Sequence, residues 1–163
     1  MLTGDGEPYP NAQLFRELKE STSTPIHTGE ELYLRENCKD LIETQAVDVL
    51  GPDPEDVGGI AELKWIAEYA NLHGILVAPH GIFDGLFGVA AQVHLGAVCP
   101  QNYIGFEYAK GQPDWWYEIV DGLPNPIVKN GYIDVWDKPG LGVTFNINAA
   151  KTHLSADDST FFD

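Results

Sequence analysis

Glu30, Asp53, His80 and Glu107 each close an apolar run, in PIHTGE, VDVLGPD, ILVAPH and NYIGFE. Successive members are 23, 27 and 27 residues apart, roughly one strand-plus-helix repeat each. Parallel strands joined by helices end on the same side, so residues spaced this way converge on one rim. Their chemistry is coherent. An imidazole such as His80 exchanges a proton near neutral pH, and Asp53 on the neighbouring strand could orient the ring and favour its charged form. Glu30 could ligate a hard divalent cation through oxygen. Glu107, if protonated, could hydrogen-bond a carboxylate oxygen. Proton abstraction beside a carboxylate needs such parts: an acid or base, and a cation to hold the enediolate.

The elements that must position these groups alternate strand with helix. Helical spacing runs from about Ala12 to Glu20 and from Leu34 to Thr44. In IAELKWIAEYANLHG, apolar residues Ile60, Leu63, Ile66, Ala67 and Ala70 recur at helical intervals, and Gly74 suits the stop. DGLFGVAAQVHLGAV reads as a further helix, apolar on most sides. Four extended runs precede or separate these helices, which predicts an α/β fold with a parallel sheet. A complete eight-stranded barrel takes about 250 residues. The 163 residues here supply four strand-helix units and fit the later half of such a barrel. Beyond Glu107 the pattern changes to turns with two short strands expected, around IVKN and YIDVW. The last stretch, Asn146 to Asp163, is polar and expected to fray. No low-complexity linker divides the chain.

Composition narrows the function classes. Nine Lys and Arg stand against 25 Asp and Glu, a formal net charge of -16. Such a surface repels nucleic acid and anionic lipid. It fits a salt-adapted chain or an ordinary acidic one. No stretch is apolar and long enough to cross a bilayer. MLTGDGEPYP lacks the basic and apolar regions of a signal peptide, so a cytoplasmic setting is the expectation. Cys38 and Cys99 carry no paired motif and read as reduced thiols within helices.

Other residues invite chemistry with weaker support. His27 is out of phase with Glu30 along its strand and reads as packing. His73 falls at a helix end, His94 within a helix, and His153 in the polar tail, where solvation is expected. Asp84 and Phe83 follow His80 in the same loop and could shape substrate specificity. Trp115, Trp116 and Tyr117 would be exposed if nothing covers them. Gly58 and Gly59 serve a helix start more simply than a phosphate loop.

The blocks TGEELYLRE, AVDVLGPD with VGGIAELKWIA, GILVAPH, NYIGFE and DKPGLGV resemble the later barrel strands of the mandelate racemase subgroup of the enolase superfamily. The resemblance runs from about Pro8 to Val143. It implies a modified (β/α)7β barrel with residues 1–145 as its carboxyl-terminal part and post-barrel segment, and 146–163 as a tail. It implies Mg2+ as cofactor, with Glu30 the third metal ligand, Asp53 and His80 a catalytic dyad, and Glu107 an acid contacting the substrate carboxylate or its enediolate. The implied activity is acid-sugar dehydration, proton loss beside a carboxylate followed by loss of water, in a homo-oligomer. A racemase or epimerase would share every residue named. The family's Lys-x-Lys base, first metal ligand and capping domain would precede Met1. The second metal ligand falls at Gly6, with Glu7 one position away, and a one-residue shift turns a strand side chain to the opposite face. The chain by itself is therefore expected to bind Mg2+ poorly and to be inactive, or to associate with a partner chain.

Overall fold

The computed structural model describes residues 11–81 and 84–163. Helix α1 (Ala12–Glu20) starts at Asn11, whose side chain accepts from the Leu14 N–H at 3.1 Å. Strand β1 (His27–Thr28), helix α2 (Leu34–Glu43), strand β2 (Val49–Leu50), helix α3 (Ile60–Leu72), strand β3 (Leu76–Val77) and helix α4 (Gly85–Val98) follow in order. The three strands form a parallel sheet in the order β1-β2-β3, with His27 opposite Val49 and Val49 opposite Leu76. This is the strand-helix alternation that the sequence predicts.

One core forms where α2 and α3 lie on the sheet. Helix α3 buries Leu63, Ile66, Ala67 and Ala70, while α2 contributes Cys38, Leu41 and Ile42 and the central strand contributes Leu50. Residues at i, i+3, i+4 and i+7 make one continuous stripe, and each fully buried Leu or Ile stabilises the fold by about 1.5–3 kcal/mol. Asn102 lies inside this core and its Nδ2 donates to the Ala67 and Ile75 carbonyls at 3.0 and 2.9 Å, while its Oδ1 is buried with no partner among the described residues.

The run NYIGFE forms less strand than expected. It joins β3 through a single parallel bridge, Val77 to Tyr103, followed by a bond from Glu107 N–H to the Pro79 carbonyl at 3.0 Å. The Tyr103 N–H turns back to Pro100 instead of continuing a ladder. IVKN and YIDVW likewise pair only at Lys129 and Tyr132, across a tight turn in which Asn130 and Gly131 both have positive φ. The small antiparallel sheet beyond the fourth unit is built elsewhere, from β4 (Val120–Asp121) and β5 (Thr144–Phe145).

The segment after Phe145 is ordered, contrary to the fraying expected of it. Helix α5 (Ile147–Thr152) is capped by Asn146, whose side chain accepts from Ala149 N–H, and buries Ala150. Phe162 returns against Phe145. His153 is not merely solvated: it lies 2.9 Å from Glu118 and stacks on Trp115, at 5.2 Å between ring centroids. Trp116 is buried and only Trp115 of that pair remains exposed. Apolar contacts hold this stretch despite its polar composition. Cys99 caps α4 instead of lying within it. Burial pushes the Cys38 thiol up to about 12 and that of Cys99 to about 11, so neither is a ready thiolate.

Candidate functional site

The sheet's hydrogen bonding continues past the strands and fixes the rim. Gly51 N–H donates to Thr28, Ala78 N–H to Leu50, and His80 N–H to Gly51, at 2.9, 3.0 and 3.4 Å. Glu30, Asp53 and His80 follow these strand ends, Glu107 follows the single bridge at Tyr103, and the four converge. His80 Nδ1 lies 3.0 Å from Asp53 Oδ2. Its Nε2 lies 4.0 Å from Glu30 and 3.9 Å from Glu107. Asp53 is 3% exposed. A carboxylate so buried needs partners for both oxygens: His80 takes one, and Glu55 N–H donates to the other at 2.7 Å. Because Asp53 accepts at Nδ1, the second ring nitrogen is left facing the mouth.

Burial alone would lower the His80 pKa. The hydrogen bond and charge of Asp53, with the charges of Glu107 and Glu30, outweigh it and hold the imidazole above its usual value. Glu30 is well exposed and free to meet a ligand, whereas one oxygen of Glu107 is buried with no hydrogen-bond partner among the described residues.

Asp84 stands at the N-terminus of α4, close enough to the dyad to feel the charges of Asp53 and His80. One of its oxygens is buried without a partner among the described residues. Burial, then the charges of Asp53 and Glu55, raise its pKa to about 7. Glu55 and Asp56 were not singled out by sequence reasoning. Burial and the Asp53 charge raise both of their pKa values, and the DPED run at the end of the second strand was the available signal. Phe83 and the Gly6–Glu7 position lie outside the described residues.

His27 does pack. Its Nε2 is 3.0 Å from the Ala78 carbonyl, so the ring spans from β1 to β3 over Gly51. A Cβ on Gly51 would come within 2.1 Å of that nitrogen, which accounts for the glycine. His94 meets the Leu141 carbonyl and the Trp136 ring edge, and His73 caps α3 beside Tyr69. Gly59 opens α3 as expected.

Among the described residues no group of three or more His, Cys, Asp and Glu is arranged to hold a metal. No helix of the described residues is long and apolar enough to cross a membrane.

Known proteins carry the same architecture. Residues 7–150 match the model of the enolase C-terminal domain-like family. A D-xylonate dehydratase of Haloferax volcanii is 34% identical over 159 residues, 98% of this chain and 37% of that protein. A D-galactonate dehydratase of Verminephrobacter eiseniae is 31% identical over 90% of this chain and 37% of its own length. A mandelate racemase/muconate lactonizing enzyme-like protein from Rubrobacter xylanophilus superposes with a TM-score of 0.81 at 35% identity, covering 90% of this chain and 36% of that one. A Pantoea ananatis enolase crystallised with D-gluconate and Mg superposes with a TM-score of 0.78 at 34% identity, covering 88% of this chain and 34% of its own. The chain thus spans little more than a third of the length of the relatives it matches, which accords with a partial barrel. On the family match over residues 7–150 and the 34% identity to the Haloferax volcanii relative, the chain belongs to the enolase superfamily, as a carboxyl-terminal barrel portion of the mandelate racemase type.

Proposed function

We propose that this chain is the carboxyl-terminal part of an acid-sugar dehydratase, and that His80 is its proton donor to the departing hydroxyl. The observation that carries the reading is the His80–Asp53 pair, with Nε2 directed between Glu30 and Glu107. In such a reaction the proton beside the carboxylate is removed, giving an enediolate. The neighbouring hydroxyl then leaves as water, and the resulting enol becomes a 2-keto acid. Expulsion of hydroxide needs a proton at the leaving oxygen. An imidazole whose pKa is held above its usual value keeps such a proton to higher pH than a free one, and Asp53 stabilises its charge until transfer. Glu107 would contact the substrate carboxylate or the enediolate, and Asp84 would contact a hydroxyl further along the sugar chain.

Mg2+, when bound, would supply positive charge to the enediolate. Glu30 would be one of its ligands, with the remaining ones outside the described residues. The chain contains no Lys-x-Lys motif, and in this reading the base opposite His80 would belong to another part of the enzyme. A water-excluding cover and an oligomeric assembly belong to the same reading.

The test joins this chain to the amino-terminal part of the Haloferax volcanii relative, as a fusion or as two co-expressed chains. Purified complemented chain with Mg2+ is offered xylonate, galactonate, gluconate and mannonate. Formation of a 2-keto acid from at least one is expected, with little from the 163 residues alone. A folded complex that binds these acids and Mg2+ yet forms no 2-keto acid would contradict the proposal.

A further inference from the structure

Helix α4 is apolar on most sides, yet Gln92 lies inside it, 1% exposed. An amide there is costly unless it is hydrogen-bonded. Its Nε2 donates to the backbone carbonyl of His80 at 2.5 Å. A carbonyl only accepts, so the amide nitrogen must be the atom that faces it, which fixes the orientation of Gln92.

The other restraints on the His80 backbone are weaker. Its N–H reaches Gly51 at 3.4 Å, a long bond. The next residue, Gly81, is pinched: a Cβ there would meet the Glu107 carbonyl at 2.7 Å and Gln92 Nε2 at 3.3 Å. The peptide between His80 and Gly81 is therefore held on one side by the Glu107 segment and on the other by Gln92. Without the Gln92 bond the His80 carbonyl loses its hydrogen-bond partner, and the backbone that carries the ring is left to the long Gly51 bond and the Glu107 contact. A shift of the His80 Cα would carry the imidazole away from Asp53, because the ring hangs from that atom. Asp53 cannot follow, being tied to Glu55 N–H and buried.

We propose that Gln92 is a positioning residue that holds the His80 backbone so that the imidazole meets Asp53 through Nδ1 and presents Nε2 to substrate. The inference rests on the acid role of His80 proposed above. Its consequence is a tautomer preference. Free neutral imidazole favours the proton on Nε2, whereas a ring seated on Asp53 keeps it on Nδ1.

The test uses the 163-residue chain labelled with 15N at histidine, above the His80 pKa, with ring-nitrogen shifts read from long-range proton–nitrogen correlation spectra. His80→Asn identifies the His80 signals. The wild-type chain is expected to show the Nδ1-protonated form. Gln92→Met, of similar length with no donor, should shift His80 toward the Nε2-protonated form while the melting transition stays cooperative. If Gln92→Met does not fold, Gln92→Asn, one methylene short of the His80 carbonyl, carries the same expectation. In the complemented enzyme either variant should lower kcat by about tenfold to a hundredfold with KM little changed. An unchanged His80 tautomer in a folded Gln92 variant overturns the proposal, as does a wild-type chain with the proton on Nε2. Absence of turnover in the complemented wild type counts against the dehydratase reading and leaves the tautomer result to decide the role of Gln92.

Discussion

Asp53 accepts from His80 Nδ1 at 3.0 Å with one oxygen and from Glu55 N–H at 2.7 Å with the other. The carboxylate is thus fixed by its own loop before it fixes the ring. Asp53→Asn keeps the shape and removes the charge. Because the His80 pKa is raised in the fold, its contribution to stability is present below the unfolded value of about 6.5 and fades as pH rises through the folded pKa. Urea denaturation should show Asp53→Asn less stable than wild type by about 1–2 kcal/mol at pH 6, an amount reduced for the partial exposure of His80. The gap should narrow at pH 9. An equal gap at both values would mean that the pair is not charge-assisted.

Asp84 gives the opposite dependence on substitution. Its folded pKa, raised to about 7, means that the fold favours the protonated acid. Stability is therefore lost as pH rises from the usual carboxylate value toward 7, and it stays reduced above. Asp84→Asn mimics the protonated form. Its melting temperature should exceed that of wild type at pH 8, with the two nearly equal at pH 4. A variant less stable than wild type at pH 8 would show that ionised Asp84 has a favourable partner.

Gly51→Ala should destabilise the chain by about 1–3 kcal/mol, because the new methyl enters the space occupied by the His27 ring. In a double-mutant cycle with His27→Ala, part of that cost should disappear. The Ala78 carbonyl, 2.9 Å from the same Cβ position, keeps the remainder. Strict additivity of the two substitutions would place the His27 ring elsewhere.

The net charge of -16 predicts a response to salt. Raising KCl from 0.1 to 2 M should screen repulsion among the carboxylates. A gain of about 1 kcal/mol corresponds to roughly 2–4 °C in melting temperature for a chain of this length. A falling melting temperature would show that attractive ion pairs such as Arg35–Glu62 outweigh the repulsion.

The alternation of strand and helix was legible because each element is amphipathic in its own period, as Leu63, Ile66, Ala67 and Ala70 show on α3. Recurrence at one strand-helix repeat brought Glu30, Asp53, His80 and Glu107 to one place in the sequence reading, and the structure gathers them within 4.0 Å of the His80 ring. What stayed hidden depended on contacts between distant segments. The tail from Asn146 reads as polar, yet His153 meets Glu118 and Phe162 meets Phe145 across stretches that no local pattern links. Gln92 is not singled out by the sequence pattern of its apolar helix. Its bond to the His80 carbonyl, twelve residues back, is a tertiary contact that no local pattern announces.

The central claim is that His80 delivers the proton to the departing hydroxyl, and the measurement that tests it most directly separates proton removal from loss of water. Complemented wild-type chain and His80→Asn are given a sugar acid and Mg2+ in deuterated water. Exchange of the proton beside the carboxylate is followed by NMR, and 2-keto acid formation is followed in the same sample. The account predicts that His80→Asn loses 2-keto acid formation by at least about a hundredfold, within the usual range for a general acid, while exchange persists. Wild-type rates of 2-keto acid formation in His80→Asn, or loss of exchange together with dehydration, would contradict it.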